Sequence, residues 1–131
     1  MRYYIDLLLA AGHRVLLVYP IPEVGFDVPR RIFGLTMRGD WQAGETVLTT
    51  RSDVYRARSA DAFALLDTID HPAVARIYPH ELFCDNQIAR KCVVNDAGQV
   101  FYQDDDHLSS AGVALINARI VEVIEAMLAA D

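Results

Sequence analysis

At 131 residues the chain has length for one domain with its own core, and 53% hydrophobic against 23% charged residues excludes a disordered polypeptide. The formal charge is −6, with the acidic excess in loops and in the run Asp104-Asp105-Asp106. No basic stripe is left to neutralise a phosphate backbone, so nucleic acid is excluded as a partner.

Tyr4, Ile5, Leu8 and Leu9 recur at helical spacing, and Gly12 is placed to stop that helix. Arg2 ahead of this apolar stretch imitates a signal peptide, but Asp6, His13 and Arg14 interrupt it and no small-residue cleavage site follows. No uncharged apolar run approaches the ~20 residues that span a bilayer. If the protein works outside the cytoplasm, its export signal or membrane anchor is expected on sequence outside this chain.

Val15-Leu16-Leu17-Val18-Tyr19 is apolar at every position, the pattern of a parallel strand covered on both faces, and Pro20-Ile21-Pro22 closes it. The stretch 23–50 is glycine-rich and weakly patterned, apart from a short helix expected over Arg30 to Met37 after Pro29. It is expected to cross the surface as an excursion or lid. Phe26, Phe33 and Trp41 there are read as anchors to the core, with an acyl or sugar cleft as the sharper alternative, and Arg30-Arg31 is too small a cluster to name a ligand.

Arg51 to Asp70 reads as a helix capped by Ser52, with Val54, Tyr55, Phe63, Leu66 and Ile69 turned inward and His71-Pro72 ending it. Val74 to Tyr78 is a second short strand, stopped by Pro79. The turn Asn95-Asp96-Ala97-Gly98 leads to an edge strand over Val100 to Tyr102. Val113, Ile116, Ile120, Val123, Ile124 and Met127 stripe the last helix, with Ser109 as its cap. Strands alternating with helices give an α/β fold, a three-layer α/β/α sandwich around a mostly parallel sheet. Residues 1–131 form a single domain on this reading. With two strong strands visible, the N-terminal part of the sheet is expected to be missing.

The segment Tyr102-Gln103-Asp104-Asp105-Asp106-His107-Leu108-Ser109 carries the chemistry. A carboxylate three residues before an imidazole can hold one ring nitrogen and leave the other for a hydroxyl, which is how a general base is oriented. Asp105 and Asp106 compete with Asp104 for that role, and all three could instead form a solvated acidic turn or hold a cation such as Ca²⁺. The helix N-terminus disfavours a nearby imidazolium while the carboxylate favours it. Cys84 and Cys92 are read equally well as separate buried thiols or as a disulfide worth roughly 2–3 kcal/mol. A zinc site with His80 and Glu81 lacks the tight paired spacing of structural zinc.

In order, Ile77-Tyr78-Pro79, Cys84, Cys92, Gly98, Tyr102, Asp104, His107, Leu108 and Ser109 resemble the last block of the SGNH hydrolase superfamily. The match is closer to the SGNH domains attached to bacterial membrane acyltransferases that modify cell-surface sugars. It covers roughly residues 1 to 131, with the specific motifs in the second half. The resemblance implies an SGNH or flavodoxin-like fold, a disulfide between Cys84 and Cys92, and Asp104 and His107 as the acid and base of a serine triad. It further implies O-acyl, above all acetyl, groups on cell-envelope carbohydrate as substrate, a membrane acyltransferase domain as partner, a periplasmic or membrane-attached location, and no cofactor or metal. It also implies a Gly-Asp-Ser block, which this chain lacks. Ser52, Ser59, Ser109 and Ser110 lie in helices or caps, and Asn86, Asn95 and Asn117 fall too late to complete an oxyanion hole. The chain is therefore read as the C-terminal portion of an SGNH domain, with exposed apolar edges and a homo-oligomer of the fragment among its expected consequences. Two rivals are a non-catalytic α/β interaction domain and a nucleotide-binding domain; the second is opposed by Pro20-Ile21-Pro22 where a phosphate loop would need glycines.

Overall fold

The computed structural model of the protein describes residues 1–129. Helix α1 (Arg2–Ala10) ends where Gly12 takes φ +80°, which lets the amide of His13 reach the carbonyl of Leu8 and that of Gly12 the carbonyl of Leu9. This is the two-bond termination that a left-handed glycine permits, and it turns the chain directly into strand β1 (Val15–Val18). Strand β1 pairs in parallel with β3 (Val74–Ile77), Val15 opposite Val74 and Val18 opposite Ile77. Between them come α2 (Val28–Met37), β2 (Thr49–Arg51) and α3 (Ser52–Asp67).

Ile5 of α1, Ile69, Leu17 and Tyr19 make one buried cluster, with Leu9, Phe63, Leu66, Val15 and Val74 packed around it. Helices α1 and α3 thus cover the face of the pair that carries the odd-numbered residues of β1. The terminal helix α5 (Ser110–Ala129) lies against β3, sharing a cleft with Ala75. The architecture is α/β with a small parallel sheet. Its two strands, among the described residues, fall short of the three-layer sandwich expected from the sequence.

Two further expectations need correction. Leu16 is only partly buried and Val18 is 44% exposed, so β1 is not covered on both faces. Ser52 does not cap α3: it is the first residue of that helix, and its hydroxyl bonds the Asp85 carboxylate at 3.3 Å. The helix begins one residue earlier than capping preference suggests, with Arg51 at the cap position, and the Ser52 hydroxyl is instead used to donate to a carboxylate 33 residues away.

Beyond the carboxyl end of the parallel pair lies a second core built from Val24, Val28, Leu48, Tyr55, Phe83, Cys84, Cys92, Val93, Val94, Phe101, Tyr102 and Ile116. It joins α4 (His80–Phe83), β4 (Lys91–Val93), which pairs antiparallel with β2, and the hairpin of β5 (Asn95–Asp96) and β6 (Gln99–Val100). Phe26 and Trp41 pack against this core as anchors, while Phe33 stays in solvent. Buried Asn95 replaces the strand ladder where it lapses: its side chain accepts from the amide of Leu48 at 2.7 Å and donates to the carbonyl of Thr46 at 2.8 Å. The weakly patterned stretch 23–50 is therefore stitched to the core.

The start of α5 approaches the preceding strand so closely that a Cβ on Gly112 would stand 2.3 Å from the carbonyl oxygen of Phe101. That neighbour is backbone and cannot rotate away. Gly112→Ala is expected to cost roughly 1–3 kcal/mol, the range for overpacked sites, read as a lowered midpoint in urea unfolding.

Candidate active site

The turn between β6 and α5 is closed by backbone bonds before any side chain acts. The amide of Gln103 donates to the carbonyl of His107 at 2.9 Å, the amide of Ser109 to that of Phe101 at 2.8 Å, and Tyr102 and Leu108 form an antiparallel bridge. Ser109 then starts α5 as expected, its hydroxyl accepting from the amide of Gly112 at 3.3 Å while donating to the carbonyl of Val100 at 2.6 Å.

Inside this loop, Asp104 holds His107 twice. Oδ1 accepts from the backbone amides of His107, at 2.6 Å, and Asp106, at 3.0 Å; Oδ2 lies 2.9 Å from Nδ1 of the His107 ring. Asp106 Oδ1 lies 2.8 Å from the same ring nitrogen as an ion-pair contact, without a matching backbone bond. The contacts with Asp104 and Asp106 are both made by Nδ1, which leaves Nε2 as the other ring nitrogen. The His107 side chain is 67% exposed.

Charge follows geometry. The hydrogen bond and charge of Asp104, then the charges of Asp106 and Asp105, raise the His107 pKa above its ordinary value. The backbone amides of His107 and Asp106 lower the pKa of Asp104, and the imidazolium adds to this. In the competition foreseen from the sequence, the carboxylates prevail over the helix terminus.

Two tyrosines fix the segment to which this turn is joined. Tyr102 donates to the carbonyl of Pro22 at 2.8 Å and Tyr55 to that of Pro20 at 2.7 Å, fixing the segment that leaves β1. Burial raises both phenol pKa values, Tyr55 to about 12, so both stay protonated and able to donate. The amide of Val24 then reaches the carbonyl of Asp105 at 2.8 Å, joining that segment to the turn. Sequence reasoning gave these tyrosines no such role, since nothing local announces a partner 35 or 80 residues away.

Cys84 and Cys92 are bonded to each other as a buried disulfide, which removes both as zinc ligands beside His80 and Glu81. Asp104, Asp106 and His107 bring one ligand atom each within 4.8 Å of one another, a spacing that their own ion pairing accounts for. No serine hydroxyl is bonded to His107 among the described residues: Ser52 is held by Asp85, and Ser109 by Val100 and Gly112. A cavity of about 650 Å³ lies along α5 and is lined by Arg14, Ala75, Arg119 and Met127 among others, not by the 104–107 turn.

The family described as the SGNH domain fused to AT3 domains matches residues 1–122. The chain belongs to that SGNH family. No curated protein and no solved structure matches it. Membership ties this SGNH chain to an acyltransferase- or esterase-related role and to a membrane-associated or extracytoplasmic setting. Among the described residues, no helix is long and apolar enough to cross a membrane.

The raised His107 pKa means its charged-pair contribution is full below the ordinary histidine value and is lost as pH rises through the elevated folded one. Asp104 acts oppositely, contributing above the ordinary carboxylate range and losing it as pH falls through its lowered value. The pair is therefore strongest between those two limits. NMR titration of the His107 ring is expected to give a midpoint above that of a model histidine. Asp104→Asn should lower it more than Asp106→Asn, because Asp104 supplies both the hydrogen bond to the ring and the larger of the charges acting on it; an equal effect would assign the ring to both carboxylates alike.

Proposed function

We propose that this SGNH chain supplies the acid–base pair of a serine-dependent O-acyltransferase or esterase acting on O-acyl, above all acetyl, groups of cell-envelope carbohydrate. His107 Nε2 takes the proton from the attacking hydroxyl and returns it to the leaving oxygen. Asp104 fixes the ring and supports its charge. The serine that carries the acyl group comes from an upstream part of the same domain, of which this chain is the C-terminal portion. A membrane acyltransferase domain furnishes the acyl donor, and the pair works on the periplasmic or outer side of the membrane.

The observation that carries this reading is the double hold of Asp104 on the backbone amide and ring of His107. A surface histidine needs neither bond, whereas a base that must present one nitrogen at a fixed angle gains from both. The chemistry needs no metal or organic cofactor.

The shape of the sheet supports the missing portion. The amides of Val15 and Tyr19 point to β3, so the backbone groups of Leu16 and Val18 face the opposite edge, where no strand pairs among the described residues. Tyr3, Tyr4, Leu7 and Leu8 of α1 are exposed as well. An unpaired parallel edge beside apolar surface is the place for further strands of the same sheet.

Two measurements test the reading. The purified chain is expected to hydrolyse a nitrophenyl acetate-type ester no faster than background, since it lacks nucleophile and oxyanion donors; His107-dependent turnover by this chain would overturn the upstream serine. When the chain is joined to a serine-bearing upstream portion and an acyltransferase partner, His107→Ala is expected to lower envelope O-acetylation by about 10³-fold or more.

The open edge of β1 predicts self-association. Sedimentation of the isolated chain is expected to give a dimer or larger species. A strictly monomeric, cooperatively folded protein would favour a non-catalytic α/β interaction domain with a self-sufficient sheet.

A further inference from the structure

Helix α2 departs from the charge of the rest of the chain. The protein carries −6, yet the stretch Val28 to Arg38 holds Arg30, Arg31 and Arg38 and not one acidic residue. At 100° per residue, Val28, Ile32 and Leu35 fall on one side and pack toward the core, Val28 being fully buried. The other side carries Arg30, Phe33, Gly34 and Met37, flanked by Arg31 and Arg38.

Phe33 is 66% exposed and Met37 70% exposed, one turn apart on that outward side. Beside them a shallow groove of about 380 Å³ is lined by Phe26, Asp27, Arg30, Arg31, Gly34 and Arg38. A Cβ on Gly34 would lie 3.7 Å from a guanidinium nitrogen of Arg38, so that side chain lies over the glycine. The two acidic groups nearby are already committed: Asp27 caps the helix through the amide of Arg30 at 2.7 Å, and Asp40 pairs with Arg38 at 3.1 Å. Arg30 and Arg31 have no side-chain partner among the described residues.

Exposed apolar side chains flanked by unpaired guanidinium groups on one outward helix face fit the interface of a bilayer. The ring and thioether enter the headgroup boundary while the arginines meet lipid phosphates. The exposed apolar residues of α5 do not share this chemistry, because Glu122 and Glu125 lie among them with Arg119. We propose that α2 is a membrane-docking face that lies on anionic phospholipid headgroups through Arg30, Arg31, Phe33 and Met37.

Docking there has a consequence for the neighbouring turn. Asp27 caps α2 three residues after Val24, whose amide is bonded to the carbonyl of Asp105 at 2.8 Å. The Asp104–His107 turn is thus held at a set height above the lipid surface. The inference does not depend on the acyl-transfer reading, since lipid binding and ester chemistry are measured separately.

Co-sedimentation of the purified chain with phosphatidylglycerol-containing vesicles and with pure phosphatidylcholine vesicles tests it. Binding is expected to the anionic vesicles only, to weaken strongly on raising salt from about 0.1 M to 0.5 M, and to fall at least about tenfold in Arg30→Glu/Arg31→Glu. Phe33→Ser/Met37→Ser should also weaken it, and Arg30→Lys/Arg31→Lys should restore most of it. Far-ultraviolet circular dichroism of each variant must match the parent, as expected for changes at solvent-facing positions. No binding to anionic vesicles, equal binding to neutral ones, or unchanged binding by the glutamate variant would overturn the proposal. Displacement by inorganic phosphate beyond the effect of matched ionic strength would overturn it in favour of a free-anion site.

Discussion

The clasp between Phe101 and the first turn of α5 is the constraint on which the site depends. The carbonyl of Phe101 accepts the amide of Ser109, and the absence of a side chain at Gly112 lets the helix come down onto that same carbonyl. Seven residues are thereby forced out as a closed loop bridged at Tyr102 and Leu108. Within so short a loop Asp104 and His107 have little choice but to meet, and the two bonds from Asp104 turn proximity into orientation.

That loop is held to the body of the protein from the other side by phenol groups. Tyr55, from α3, and Tyr102, at the start of the loop itself, each donate to a proline carbonyl in the exit from β1. Prolines have no amide to give and bend the chain away from any ladder, so their carbonyls are the groups that need outside donors. The buried Cys84–Cys92 bond and the Asn95 side chain do similar work further back, where the strands are only two or three residues long. This half of the molecule replaces regular sheet with single directed contacts. Such an arrangement suits a rim around a site better than a stable core.

What the sequence made legible was local. Val15 to Val18 could be read because β-branched and aliphatic residues run unbroken there, Val74 to Ile77 because a short run lies between Pro72 and Pro79, and Gly12 because helix termination has a fixed chemistry. The Asp104–His107 contact could be read because it spans three residues. Asp106 also approaches the ring, which spacing left open, and the backbone bonds that distinguish Asp104 depend on the turn conformation rather than on residue type. The tyrosine tethers and the diversion of the Ser52 hydroxyl to Asp85 depend on which surfaces the fold brings together. No periodicity encodes that.

An imidazole that faces water beside three carboxylates is a stronger base than free histidine but is also more often protonated near neutrality. A protonated ring cannot accept the proton of a hydroxyl, so in this exposed state the pair gains basicity at the expense of the reactive form. Covering the turn would shift that balance, because excluding water penalises the imidazolium while strengthening its bond to Asp104. In the proposed complete domain, the portion that brings the serine would also supply the cover. On the proposed function, nucleophile and base would then become competent together, once the serine-bearing portion covers the turn.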